Sequence, residues 1–346
     1  MPENIGDRTG GSLHVLPYLG IAPRFAGPVL HAGPGAAVLG RATIGRDACF
    51  GARSVVRADG ETVTIGDDFR LGARGTVHIA TDEYATTIGD GVTAGPGAVI
   101  HACSVGDGCV IGTRAVILDG SRLAPGVALA AEAVVYPRSE LKGGWLWEGA
   151  PAKPVRRLER DEFARMRAAA RAHPDEAAPR PGGGSDLMFV AATARVAGSV
   201  TGAGGNGVWH GCEIDGGTFG LTLGADTNVQ DNSTLRAMDQ PVEVGARVTI
   251  GHNVAMTDCA IGDGSLIGIG TVLAPGTRVG REVLVAAGTR TDPGQVLEDG
   301  HLYAGRPASR LKPLDVGKRT MMSAIWPHYI GYARAFAEAQ GRAMRP

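Results

Sequence analysis

Along this chain an aliphatic residue followed by glycine or another small residue recurs about every six positions. In the first half the repeat runs through VLGRAT, TIGRDA, TIGDDF, TIGDGV, SVGDGC and VIGTRA; in the second it runs through TLGADT, EVGARV, TIGHNV, AIGDGS, LIGIGT and RVGREV. A strand alternates with a period of two and a helix with a period of 3.6, so a period of six is neither alone. It fits a triangular coil in which each flat face contributes one inward aliphatic side chain, and glycine, Asn or Asp takes the corner backbone. The pattern predicts parallel β-helices whose core is a stack of Ile, Val and Leu.

The coil signal breaks once. Residues 157–172, RLERDEFARMRAAARA, are helix formers and charges, which predicts a helix flanking the last coil. The Pro/Gly-rich segment at 173–185 reads as a linker. The repeat resumes near Phe189 and ends near Lys312, and the tail MMSAIWPHYIGYARAFAEAQGRA predicts a second closing helix. The expected fold is mostly β: two left-handed parallel β-helix domains of hexapeptide repeats, 1–172 and 186–346, each followed by a C-terminal α-helix. The halves also align with each other. IGDGVTAGPGAVIHAC (88–103) matches VGARVTIGHNVAMTDC (244–259), and IGDDFRLGARGTVH (65–78) matches LGADTNVQDNSTLR (223–236), which reads as a tandem duplication.

Composition narrows the partners. The 346 residues leave room for two domains of ordinary size, and Lys+Arg 34 against Asp+Glu 35 gives a net charge of -1. That balance argues against general attraction to nucleic acid or an anionic membrane. Aromatic residues make up only 5% while Gly reaches 54, which suits an aliphatic coil better than a layered α/β core. Five scattered cysteines without CxxC spacing read as reduced core residues. The polar N-terminal segment has no signal-peptide core and no stretch approaches a membrane span, so the expectation is a cytoplasmic protein.

Specific motifs lie on this scaffold. The first half carries PYLGIAPRFAG, VRAD, TVH, IGDGVT…HAC and GAPAKPVR; the second carries TNVQDN, VTIGH, a Cys at the matching place and GRPASR. Taken in order and register, these resemble the γ-class carbonic anhydrases, once per half. The resemblance implies an active site between neighbouring subunits of a trimer, where three histidines bind zinc or a similar ion. Two come from one subunit and the third from the GH of the next. Three neutral imidazoles leave a tetrahedral ion one open position, at which water is acidified toward neutrality and can attack CO2.

Carried over residue by residue, neither half is complete. The first keeps His78 and His101 but has Pro96 at the GH position; the second keeps His252 but has Arg236 and Thr257 at the other two. The surrounding polar residues divide the same way. Arg57 and Asp59 survive in the first half against Asp215 and Gly217 in the second. Asn228, Gln230 and Asp231 survive in the second against Arg70, Gly72 and Ala73. Losses that complement each other imply one hybrid metal site where unlike halves meet, within or between chains, with His78, His101 and His252 as ligands. The reciprocal meeting surface lacks all three.

The resemblance gives Gln230 the role of orienting water or substrate, with Asn228 beside it; Arg57 and Asp59 read as a salt bridge stabilising the interface, with a direct part in the chemistry as the alternative. Glu83, in HIATDEYATTIG near Glu61, Asp82 and Tyr84, is the candidate for proton transfer. His31, His210, His301 and His328 have no support in the pattern and read as structural or exposed. Zinc, iron and cobalt suit imidazole ligands alike. The implied function is a metal-dependent lyase or hydratase acting on CO2 and bicarbonate. The alternatives are the same site turned to a larger metabolite as a hydrolase, dehydratase or cyclase, a hexapeptide acyltransferase, or a non-catalytic scaffold.

Overall fold

The computed structural model describes residues 5–6, 12–171 and 187–339, so the linker expected at 173–185 lies outside the described residues. The chain divides into two compact units, Met1–Ala178 and Pro179–Pro346. Each is a parallel β-helix followed by one α-helix.

In the first unit, the strands Val55–Ile65, Thr76–His78, Val99–His101, Val116–Ile117 and Val134–Val135 stack as a parallel ladder along one face. Their register aligns Val38, Val56, Val77, Ile100, Ile117 and Val135 in a single column of inward side chains. All six are at most 1% exposed. Each contributes about 1.5–3 kcal/mol on leaving water, so the column acts as the spine of the unit without needing large aromatic residues. The second unit repeats the device with Val196, Ile214, Leu235, Met256 and Leu273.

The corners admit close backbone approach. Gly40 has φ +74°, and a Cβ there would lie 2.1 Å from the carbonyl oxygen of Ala58, so only glycine lets this coil sit against the strand that carries Asp59. Both units end in an antiparallel return. Trp145–Glu148 pairs with Lys153–Arg157, and His301–Ala304 pairs with Ser309–Pro313. All five residues of each returning strand are exposed.

Helix α1 spans Arg160–Arg171. The helix predicted from position 157 starts three residues later because Lys153–Arg157 is committed to the return strand. Helix α2 spans Val316–Ala339 and begins ahead of the expected Met321. Its start is set by Asp315, whose Oδ1 accepts the N–H of Lys318 at 2.8 Å as an N-cap. Tyr329, Tyr332 and Phe336 of α2 surround the fully buried Trp209 at centroid distances of 5.4, 6.4 and 5.7 Å, with Phe189 at 5.1 Å. These edge contacts anchor α2 to its coil. No helix among the described residues is long and apolar enough to cross a membrane.

Candidate metal centre

Strand alternation fixes where the histidines of the first unit point. Val77 and Ile100 belong to the inward column, so the next residues, His78 and His101, face outward. They are direct partners in adjacent coils. His78 Nδ1 and His101 Nε2 lie 3.2 Å apart. Two imidazole nitrogens on one tetrahedral ion, each at about 2.0–2.1 Å, are separated by about 3.3 Å, so this pair is spaced to share a divalent ion.

The opposite nitrogen of each ring rests on a carboxylate. His78 Nε2 meets Asp59 Oδ1 at 2.9 Å, and His101 Nδ1 meets Asp119 Oδ1 at 2.6 Å. Each contact assigns the ring proton to the carboxylate side, which leaves lone pairs on the two nitrogens that face each other. Facing lone pairs repel unless a cation or a proton lies between them, so the donor set fits a metal. Asp59 is itself held by Arg57 Nη1 through its other oxygen, and neither side chain of that pair is exposed. The buried carboxylate is thus satisfied from both sides, as a buried charge requires. Arg57 and Asp59 therefore form the expected salt bridge, which also extends to His78.

In the second unit, His252 stands at the corner that follows Thr249–Ile250 and is fully buried. Its Nδ1 lies 3.2 Å from Asp231 Oδ2, and Asp231 Oδ1 accepts the backbone N–H of His210 at 3.0 Å. Gln230 Nε2 donates to Asn228 Oδ1 at 3.3 Å, and Asn228 Nδ2 donates to Thr249 Oγ1 at 3.0 Å. Asn228, Gln230, Asp231 and His252 are therefore assembled within one unit. The column that corresponds to His78 and His101 is differently occupied here. Arg236 and Thr257 are strand partners, and Arg236 Nη2 donates to Glu213 Oε2 at 3.1 Å. Asp215 pairs with Arg236 along the strand, and its Oδ1 accepts the N–H of Gly217 at 3.0 Å.

Glu83 sits in the turn closed by Ala80 and Tyr84, with its carboxylate 3.9 Å from Arg138 and exposed. His210 is a core residue: Nδ1 lies 3.1 Å from Thr193 Oγ1 and the ring packs on Phe336. All five cysteines are buried and unpaired by disulfides, and burial pushes the Cys109 and Cys259 thiols up to about 11. Asp119 was not anticipated. It follows Val116–Ile117 in the coil after His101, eighteen residues on, and only the coil period could have singled it out.

Comparison with known proteins agrees with this architecture. The family model described as "Bacterial transferase hexapeptide (six repeats)" matches residues 85–119, and "Hexapeptide repeat of succinyl-transferase" matches 41–73 and 259–289. Mitochondrial gamma carbonic anhydrase 1 of Arabidopsis thaliana is 32% identical over 156 residues, 43% of this chain and 57% of that protein. The chain thus spans little more than half the length of that relative. A protein of Methanocaldococcus jannaschii described as a probable carbonic anhydrase is 32% identical over 129 residues, 37% of this chain and 80% of that one. A solved structure from Desulfovibrio desulfuricans G20, 14% identical, aligns with a TM-score of 0.58 over 94% of this chain and 82% of that one, a likeness of fold alone.

Proposed function

The chain belongs to the γ-carbonic anhydrase-like hexapeptide-repeat family, and from that premise we propose that His78, His101 and His252 hold one divalent metal ion where unlike halves of the chain meet. On this reading the protein is a metal-dependent lyase or hydratase whose simplest substrate pair is CO2 and bicarbonate. The observation that carries it is the support behind the paired imidazoles of the first unit: Asp59 behind His78 and Asp119 behind His101, while in the second unit Asp231 Oδ2 lies 3.2 Å from His252 Nδ1. Histidines that ligate a metal characteristically give their other nitrogen to a carboxylate in this way.

A zinc, iron or cobalt ion on three neutral imidazoles supplies a Lewis acid that brings the pKa of water toward neutrality. The chain's own residues do the rest. Arg57 and Asp59 fix the ring of His78. Asn228 and Gln230 present a linked pair of amides to orient the small-molecule substrate, and Glu83 passes the proton to solvent. The two halves derive from a duplication after which each kept what the other lost. The site needs unlike halves to pair, within one chain or between chains of a homo-oligomer.

A second reading keeps the metal and changes the substrate to a larger metabolite, with hydrolase, dehydratase or cyclase chemistry. The replacement of His and Arg by Arg236, Thr257 and Asp215 in one half favours it, because the symmetric trimer of the family cannot form with equivalent sites. The hexapeptide repeat models also include transferases, which keeps acyl transfer as a third outcome. The test is metal content of the purified chain beside His78→Ala and His252→Ala, followed by a CO2 hydration assay. Stoichiometric metal lost in both variants supports the hybrid site; wild-type protein without metal, or metal lost only in His78→Ala, removes it. Metal without hydration activity selects the second reading.

A further inference from the structure

Asp68, at a corner of the first unit with φ 53°, gathers three guanidinium groups. Arg70 Nη2 lies 3.2 Å from Oδ1, and Arg167 Nη2 and Arg171 Nη2 lie 3.0 and 2.8 Å from Oδ2. Arg171 also donates from Nε to Thr93 Oγ1 at 3.2 Å. Arg167 and Arg171 stand one turn apart on α1, an arrangement of like charges that repels. Three positive groups and one carboxylate leave an excess of two positive charges at this seam between helix and coil. Cys49 touches Arg70 but does not offset it, since burial raises the thiol and keeps it neutral. Burial first, and then repulsion from Arg171, holds the Arg167 guanidinium below its ordinary value. The Nε–H donors of Arg70 and Arg167 are both buried without an acceptor among the described residues.

A guanidinium cluster with surplus charge and unused donors matches tetrahedral oxyanions, which accept several N–H bonds at once. We propose that Arg70, Arg167 and Arg171 form a binding site for a phosphate dianion, distinct from the histidine centre, which fastens α1 to the coil when filled. The double negative charge of hydrogen phosphate balances the surplus of two, whereas bicarbonate balances half of it. Free phosphate and a phosphate monoester share the chemistry.

Calorimetric titration of the chelator-treated full chain with inorganic phosphate, at constant ionic strength against chloride, tests the site; glycerol phosphate in a parallel arm distinguishes a monoester ligand. Saturable one-to-one binding is expected, weakened about tenfold or more in Arg167→Ala and in Arg171→Ala, as for loss of a charged hydrogen-bond donor. Asp68→Asn is expected to tighten phosphate binding roughly tenfold, because it removes the carboxylate that competes for the same donors. Far-UV circular dichroism checks that each variant keeps its fold, and Arg70→Gln provides a coil-side variant should α1 detach. Heat no greater than with chloride overturns the proposal. So does phosphate affinity unchanged from wild type in both α1 variants, or weaker phosphate binding in Asp68→Asn, the result expected if Asp68 and its arginines are only a structural staple.

Discussion

Replacing Asp119 should separate metal affinity from fold stability. The carboxylate sits 2.6 Å from His101 Nδ1, yet its side chain is 38% exposed, so its pairing with the ring contributes at most about 0–1 kcal/mol to folding. Its effect on a bound metal is larger, because it fixes the ring so that Nε2 presents its lone pair beside His78 Nδ1. Loss of such a partner lowers metal affinity about 10–100-fold, equivalent to roughly 1.4–2.8 kcal/mol. In Asp119→Asn the amide oxygen still accepts the ring N–H, so the tautomer survives and only the charge is lost; this variant belongs near the lower bound. Asp119→Ala removes both and belongs near the upper. Zinc titration of the metal-free protein against a competing chromophoric chelator measures the affinity, and urea unfolding of the same metal-free samples measures the fold. The reasoning is refuted if Asp119→Ala binds zinc within twofold of wild type, or if metal-free Asp119→Ala loses several kcal/mol of stability.

Other expectations concern the scaffold. Ile100→Ala empties a fully buried position in the aliphatic column and should cost about 2–5 kcal/mol in urea unfolding. Arg57→Met strands Asp59 without its cation in a fully buried place and should cost about 3–5 kcal/mol, whereas Arg57→Met with Asp59→Leu should recover part of that loss; a double variant worse than the single would contradict the pairing. The native thiols should resist a disulfide reagent at pH 8 and react only after denaturation. Because the Cys109 and Cys259 thiols are raised from 9.0 to about 11, the unfolded chain deprotonates first. Their contribution is intact below about pH 9 and stability should fall between about pH 9 and 11, which unfolding at fixed urea will register.

Much of the coil was legible because its driving force is written locally: one aliphatic residue, then a corner, six positions apart. The same register carries over to His78 and His101, since a residue next to an inward Val or Ile has only the outer face left to it. Contacts between stacked coils are less visible. Asp119 touches His101 across a full turn, and no local motif joins them in the chain. The bond from Asp59 to His78 likewise crosses coils, so the sequence suggested the Arg57 partner two residues away and left the histidine unconnected. The start of α2 escaped notice because its cap, Asp315, precedes the apolar run that announces the helix. Glu83 illustrates the same separation: its chain position lies near the histidines, while its exposed carboxylate, in the turn closed by Ala80 and Tyr84, faces Arg138 from 3.9 Å.

The antiparallel returns that finish each coil have a consequence for behaviour in concentrated solution. A solenoid of parallel strands otherwise ends in a row of open backbone donors and acceptors, onto which another copy could stack without limit. Here the last layer is KPVRR in one unit and SRLKP in the other, exposed along its length, basic and carrying a proline. Such an edge offers broken pairing and repels its own kind, so growth of the sheet that carries it stops where the chain turns back.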